Sequence, residues 1–542
     1  MADVCSVGEG RLEGNRQLHV TISSTDCTTL PAVIMGVDSS TEGPKSLKKH
    51  VLLLAVSLHA HIAGMVKLAV ELAQRGVTVT YVGEEMDLPK FRNEQAKGLD
   101  LRLISFDEFP SSKQILSSPN FDMFDFVMNA KEIFQPVLDI FMRDKQAGKP
   151  GPTCIIADRL LATPLEAARL LGIPHYMFYS CGANFARMLQ MFPPLFADGT
   201  LTSCPALCKP RATIPGRPIN SLSKFDGAVE IDGFPPLRFS DMFEALFGVE
   251  AVIGMGEVVQ QTDALIMNTF YEFEAPIIEA IQRYRIANRP WKPVKVFCVG
   301  PISSPAVGKE PTLEPSLSLW LDSQAPESVI YMCFGSIAGK YVDPEQAREI
   351  SQALEDSGHP FLWAFDFRPT PEYPSLQDLL PPGFEERMKG RGIVQCGWVP
   401  QLELLSHSSI GAFITHSGWN SVLEAVCVGV PMIAWPRLPN DQGIITRHIV
   451  DFLKIAVEVG ADKYDCEPVY IEGRVVVPRQ NKIVGHAELG RAIRLIMSEE
   501  GSACRSRLQE LKRVADAAAA DGGARSKAFG DLVELIPGTA SL

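Results

Sequence analysis

Apolar residues in this chain gather into short unbroken runs, and between the runs they return every third or fourth position. The first run, Val-Leu-Leu-Leu-Ala-Val at 51–56, predicts a strand buried on both faces. Ile62, Met65, Val66, Ala69, Leu72 and Ala73 follow at helical spacing, Gly76 ends that helix, and 77–82 is the next strand. The result is a βαβ unit whose polar turn, 57–61, lies at the carboxyl end of its first strand, where open α/β sheets place function. A second unit has a strand at 153–158 ending in a carboxylate, a helix through Leu165, Ala168 and Leu171 to Gly172, and a strand at 173–179. Residues 303–318 carry Pro, Gly, Ser and Lys without an apolar period and predict a linker. Beyond it, 328–336 is a strand running into a Gly-Ser turn, 344–357 a helix stopped by Gly358, and 361–364 a strand. Residues 410–415 and 432–435 are strands, joined by the polar turn 416–421 and a helix over 422–427 that Gly429 and Pro431 stop. Helices over 489–497, 505–519 and, past Gly522 and Gly523, 524–535 end the pattern, and no segment recurs at a 20–50-residue period.

Length and composition narrow the class. The 542 residues leave room for at least two domains, each with its own core. A net charge of −13 argues against nucleic acid or an anionic membrane as the main partner. The 12 cysteines show no C-x-x-C and no zinc spacing, Cys204 and Cys208 being the closest pair. Residues 1–14 lack the basic-then-apolar order of a secretory signal, so reduced thiols and a cytoplasmic location are expected. Residues 1–47 are rich in Ser, Thr and Gly and are expected to form a poorly ordered extension. The apolar stretch 51–73 contains His59, His61, Lys67 and Glu71 and divides into strand and helix, so it does not predict a membrane span. With no apolar run of about 20 residues at the C-terminus, no membrane anchor is expected.

Three places carry candidate chemistry. The turn 416–421 leads from a strand into a helix, so backbone N–H groups at the helix N-terminus face past the strand end and can accept phosphate. Ser421 and Glu424 also form an S-x-x-E capping box, which is a purely structural alternative, and His416, Trp398, Trp419 and Trp435 are each compatible with a core role. His61 in the turn 57–61 is either an idle helix-terminal histidine or a base, with His59 two residues away as a competitor. Asp158 is either a helix N-cap or the partner of a base.

Taken together, the residues of 398–442 resemble the C-terminal donor-binding box of the plant-type, family 1 UDP-sugar glycosyltransferases. The match comprises Trp398, Pro400, Gln401, Leu405, His407, His416, Gly418, Trp419, Asn420, Ser421, Glu424, Gly429, Val430, Pro431, Pro436, Asp441 and Gln442. Ser417 stands where the family usually has Cys, and the segment from Pro436 to Asp441 is one residue longer than usual. The unit around 51–82 resembles the family's N-terminal unit, whose Gly-His-Ile turn carries the general base; Ala60 replaces that Gly, and His61 is the match. Residues 264–272 and 296–301 are similar to the closing strands of the same half, and the similarity extends over about 48–540.

The resemblance implies a GT-B fold, two doubly wound Rossmann-like α/β domains facing a cleft. The implied division is an extension at 1–47, an acceptor-binding domain at 48–302, a linker at 303–319, a UDP-sugar-binding domain at 320–520 and a terminal helix region at 521–542 that packs back on the first domain. It implies an inverting hexosyltransferase that moves a sugar, most simply glucose, from a UDP-sugar to a hydroxyl of a small lipophilic acceptor. His61 takes the acceptor proton and Asp158 holds its imidazole. Trp398 and Val399 lie at the uracil with Gln401 nearby, and Glu424 accepts from the ribose. Ser336, His416, Gly418, Asn420 and Ser421 face the diphosphate, while Trp419, Asp441 and Gln442 hold the sugar. No cofactor or metal is expected, since no D-x-D occurs in the chain; UDP-sugar is a co-substrate, and a monomer is expected. A nicotinamide oxidoreductase is disfavoured because Gly254 and Gly256 lack the third Gly and follow no strand. A noncatalytic nucleotide-sugar sensor would tolerate loss of the His61–Asp158 pair, which is present here.

Overall fold

The computed structural model describes residues 48–118, 126, 129–198, 228–238, 241, 248–285, 293–302, 313–335, 344–365, 367, 373–437, 441–460, 466–471, 474–480 and 483–539. The expectations for 1–47, most of the linker, Ser336 and the lengthened segment 438–440 lie outside these residues, as does the side chain of His59.

Two all-parallel sheets carry the fold. The first contains β1 (His50–Leu54), β2 (Thr78–Gly83), β3 (Leu101–Ser105), β4 (Cys154–Asp158), β5 (His175–Tyr179), β8 (Ala264–Met267) and β9 (Lys295–Cys298), in the order β3-β2-β1-β4-β5-β8-β9. The intervening β6 (Ala228–Val229) and β7 (Leu237–Arg238) form a separate two-stranded ribbon. The second sheet contains β10 (Val329–Cys333), β11 (Phe361–Phe365), β12 (Gly392–Cys396), β13 (Ile410–Thr415), β14 (Met432–Ala434) and β15 (Ala456–Glu458), in the order β12-β11-β10-β13-β14-β15. Every strand of both sheets is paired in parallel, so helices must cross over their faces and the strands read as continuous apolar runs.

Both orders reverse direction at one point, between β1 and β4 in the first sheet and between β10 and β13 in the second. At a reversal the two crossovers leave in opposite directions and open a crevice beyond the strand ends. The register places Leu54 beside Ala157 and Cys333 beside Thr415, so the segments that follow these residues share a crevice. His61 follows β1, Asp158 ends β4, Gly335 follows β10 and His416 follows β13.

Helix boundaries differ from the apolar pattern in a consistent way. The helix after β1 is His59–Gln74, starting three residues before its first apolar anchor, Ile62. The helix after β13 is Trp419–Val428, and that near the C-terminus is His486–Met497. Apolar spacing reports only the buried face of a helix. Helix Pro315–Asp322 begins inside the stretch expected to be linker, buries Leu317 and Leu321, and has its Pro at the first turn, where a missing N–H costs nothing. An antiparallel hairpin of β16 (Cys466–Ile471) and β17 (Arg474–Gln480) has no counterpart in the apolar pattern.

The terminal helix Ala524–Leu535 packs on the first sheet. Phe529, Leu532 and Ile536 are buried in the same cluster as Met65, Leu68 and Tyr176, each worth about 1.5–3 kcal/mol relative to exposure. The Tyr176 hydroxyl donates to the Leu535 carbonyl at 3.1 Å, and Lys49 bridges to Gly538. Among the described residues, no helix is long and apolar enough to cross a membrane.

Candidate active site

The crevice at the first switch point holds a histidine–carboxylate pair. His61 Nδ1 lies 2.7 Å from Asp158 Oδ2, and both residues are buried. Asp158 is fixed twice over, since it ends β4 and its Oδ1 accepts from the backbone N–H of Leu160 at 2.9 Å. With Nδ1 occupied by the carboxylate, Nε2 is the ring nitrogen left to handle a proton. His61 stands in the first turn of its helix, two residues past the start, and Ile62 and Met65 of the same helix are buried.

The second crevice gathers most of the residues expected at a donor. The Gln401 amide donates to Ser421 Oγ at 3.0 Å and to Glu424 Oε2 at 2.7 Å, and its carbonyl accepts from the Tyr331 hydroxyl at 3.3 Å. Ser421 therefore does not cap the helix, which starts at Gly418 without a side-chain cap; the capping-box reading fails because the helix begins earlier than the apolar pattern indicated. Trp398 is 66% exposed just before helix Gln401–Leu405, an indole face open to a flat ligand, while Val399 is buried. Such an exposed aromatic is unusual for core and suits base stacking.

His416 follows β13, with its ring against the backbone at Gly335 and Gly418. Gly335 has φ +71°, and a Cβ there would lie 2.7 Å from the imidazole, so only Gly lets the turn approach. Burial lowers the His416 pKa to about 4, partly offset by the Cys333 carbonyl, so the ring is neutral at pH 7. Its Nδ1 is buried without a hydrogen-bond partner among the described residues. Ser417 holds a left-handed φ of +64°, and its buried hydroxyl accepts from Thr446 at 2.9 Å.

The chain is similar to known proteins in sequence and in fold. The family model of UDP-glucoronosyl and UDP-glucosyl transferases matches residues 298–457. A malvidin galactosylase of Oryza sativa subsp. japonica is 32% identical over 409 residues, covering 72% of this chain and 77% of that protein. An anthocyanidin 5,3-O-glucosyltransferase of a Rosa hybrid cultivar is 33% identical over 403 residues, covering 72% and 76%. This chain belongs to the plant family 1 UDP-glycosyltransferases. Its fold is the family's GT-B arrangement: a Phytolacca americana UGT2 solved with UDP-2-fluoro-glucose and pterostilbene superposes with a TM-score of 0.68 at 22% identity, covering 90% of this chain and 99% of that one. A transferase of Siraitia grosvenorii solved with UDP gives 0.69 at 23% identity, covering 90% and 100%. The protein is thus a UDP-sugar-dependent hexosyltransferase acting on small acceptors.

In this glycosyltransferase the two halves meet at the site itself. The Trp419 indole N–H donates to the Asn268 carbonyl at 2.7 Å, and its ring packs against Phe273. A Cβ at Gly182 would lie 2.3 Å from that ring, so Gly182 makes the approach possible. The Trp419 side chain therefore joins the two halves. Asn420 Oδ1 accepts weakly from Asn268 Nδ2 at 3.4 Å. His448 Nε2 lies 2.9 Å from the Phe273 carbonyl, a second link between the halves.

The sugar-side candidates sit at the start of helix Gln442–Arg447. Gln442 is buried, and its carbonyl accepts from the Arg437 N–H at 2.7 Å. Asp441 is the N-cap residue, with its Oδ2 4.0 Å from Arg159 Nη2. Burial raises the Asp441 pKa, opposed first by Arg159 and then by His61, which places its carboxyl in the field of the dyad. Sequence reasoning missed Asn268, Glu274, Tyr331 and Arg159. Glu274 is buried and accepts from the Ala183 and Asn184 N–H groups, both at 2.8 Å, capping helix Ala183–Ala197 from 90 residues away. A distant cap of this kind leaves no local sequence signal.

Proposed function

We propose that this enzyme transfers glucose from UDP-glucose to a hydroxyl of a small lipophilic acceptor with inversion, His61 acting as general base and Asp158 orienting it. The observation that carries the reading is the buried 2.7 Å His61–Asp158 contact at the switch point of the first sheet. The acceptor O–H gives its proton to His61 Nε2 as the oxygen attacks the anomeric carbon. The bond from that carbon to the β-phosphate oxygen breaks, and UDP leaves with the electron pair. Asp158 stabilises the imidazolium formed on the way.

The donor reading follows the second crevice. Uracil stacks on Trp398 beside Val399, and Gln401 turns Glu424 toward the ribose hydroxyls, since a carboxylate takes two donors. The leaving diphosphate meets the helix N-terminus at Gly418, with Asn420 and Ser421 alongside. His416 serves as a neutral hydrogen-bond donor there, because its lowered pKa deprives it of positive charge. Asp441 and the NH₂ end of Gln442 read sugar hydroxyls.

Relatives acting on malvidin and on anthocyanidins make phenolic polycycles the first acceptors to try. Galactose is the second reading for the donor, because one of these relatives is named a galactosylase. Donor competition on the wild type and on Gln442→Ala tests the choice. Loss of one paired sugar hydroxyl costs about 1–3 kcal/mol, roughly 5- to 150-fold in preference. A wild type that prefers UDP-galactose, or a Gln442→Ala enzyme with unchanged glucose kinetics, removes the glucose reading.

A further inference from the structure

We infer that Arg159 is a positioning residue that holds the Asp441 carboxylate at the sugar end of the site, tying the donor-reading helix to the end of the strand that carries Asp158. The inference rests on the reading of Asp441 as a sugar-binding residue.

Arg159 is the residue after Asp158, and its backbone is fixed by an N–H donated to the Phe178 carbonyl at 3.1 Å. Its side chain is buried, and the guanidinium lies 4.0 Å from the centre of the Phe185 ring, which sets the plane of the fork. From there Nη2 reaches across to Asp441 Oδ2. The 4.0 Å separation is an ion pair and too long for a hydrogen bond, so the guanidinium supplies charge without consuming the lone pairs that sugar hydroxyls need.

Asp441 needs such a partner for two reasons. It follows the segment that is one residue longer than the family pattern, so chain connectivity alone does not fix its place. It is also enclosed, and enclosure favours the protonated carboxyl, which would accept fewer hydroxyls. The titratable and charged groups facing it are Arg159, His61 and the Cys181 thiol, and burial pushes that thiol up so that it stays neutral. Arg159 is thus the permanent positive charge that opposes the effect of enclosure on Asp441.

The test compares Arg159→Gln, Arg159→Lys, Asp441→Asn and the Arg159→Gln/Asp441→Asn double variant in the full chain, using UDP-glucose kinetics, UDP binding by calorimetry and Tm. Arg159→Gln is expected to lower kcat/KM for UDP-glucose by about tenfold, with UDP affinity within about twofold of wild type, because UDP alone lacks the sugar. Arg159→Lys recovers most of the loss, and the double variant is no worse than Asp441→Asn. The acid limb of kcat/KM moves to higher pH in Arg159→Gln, and this movement is absent when Asp441 is Asn. Additive losses, a lysine variant as poor as the glutamine one, or UDP affinity falling with donor use would overturn the inference and leave the donor reading intact. Unchanged donor kinetics in Asp441→Asn would overturn both.

Discussion

Replacing Asp158 by Asn tests the dyad with the smallest possible change of shape. The native carboxylate accepts two hydrogen bonds in a site without water exposure, from His61 Nδ1 at 2.7 Å and from the Leu160 N–H at 2.9 Å. An amide has one acceptor and one donor end. If its oxygen stays on Leu160, its NH₂ group meets Nδ1, which must then accept, and the ring proton moves to Nε2. That tautomer cannot take the acceptor proton. If the amide flips, NH₂ meets the Leu160 N–H head to head, a buried clash of donors costing about 1–3 kcal/mol. In either state the charge that stabilises the imidazolium is gone. Together these losses amount to about 3–5 kcal/mol, or roughly 10²–10⁴-fold in kcat. The assay is acceptor-dependent UDP release, with UDP affinity by calorimetry as the control, since Asp158 is remote from the donor cluster around Gln401. Turnover within about threefold of wild type would refute the orienting role.

Three further outcomes follow from the geometry. Trp398→Ala is expected to weaken UDP by about 5- to 150-fold, the value of one base–aromatic stack, without lowering Tm because the indole is exposed; unchanged UDP affinity removes it from the uracil site. Burial raises the Glu274 pKa to about 7 against the pull of the Ala183 and Asn184 N–H groups, so its proton stabilises the fold below about pH 4.5 and that contribution is lost as pH rises through 7. The shift corresponds to about 3 kcal/mol, so wild-type stability should fall relative to Glu274→Gln across that window, and parallel Tm–pH curves for the two would contradict it. Turnover is expected to survive EDTA on the proposed reading, in which the helix N-terminus at Gly418 meets the diphosphate; loss of activity restored by magnesium would contradict that reading.

The strands were legible because a parallel strand covered on both faces needs an unbroken apolar run, as 51–56 and 410–415 show. Strand order is another matter. His61 and Asp158 are 97 positions apart, and only the adjacency of β1 and β4 brings them together. Local pattern contains no term for that adjacency, and family resemblance supplied the pairing. The S-x-x-E pattern at Ser421 does not form a cap, because the helix begins earlier and Ser421 and Glu424 both accept from Gln401, some 20 positions earlier. The Trp419 indole donates to the Asn268 carbonyl in the other half, a partner 151 positions away that no local pattern reports. The hairpin β16–β17 escaped notice because Pro468 and Pro478, paired in register, and the charges at its ends interrupt the alternation expected of strands.

The central claim, that His61 is the base for sugar transfer, is tested most directly by His61→Ala, assayed for glycoside formation from UDP-glucose and a phenolic acceptor, with UDP binding measured on the same preparation. His61 lies after β1, whereas the donor cluster lies beyond β10 and β13, so the truncation should leave UDP affinity near normal. The account predicts turnover reduced by about 10²–10⁴-fold with intact UDP binding. A His61→Ala enzyme that binds UDP and still forms glycoside at near-wild-type rate would contradict it.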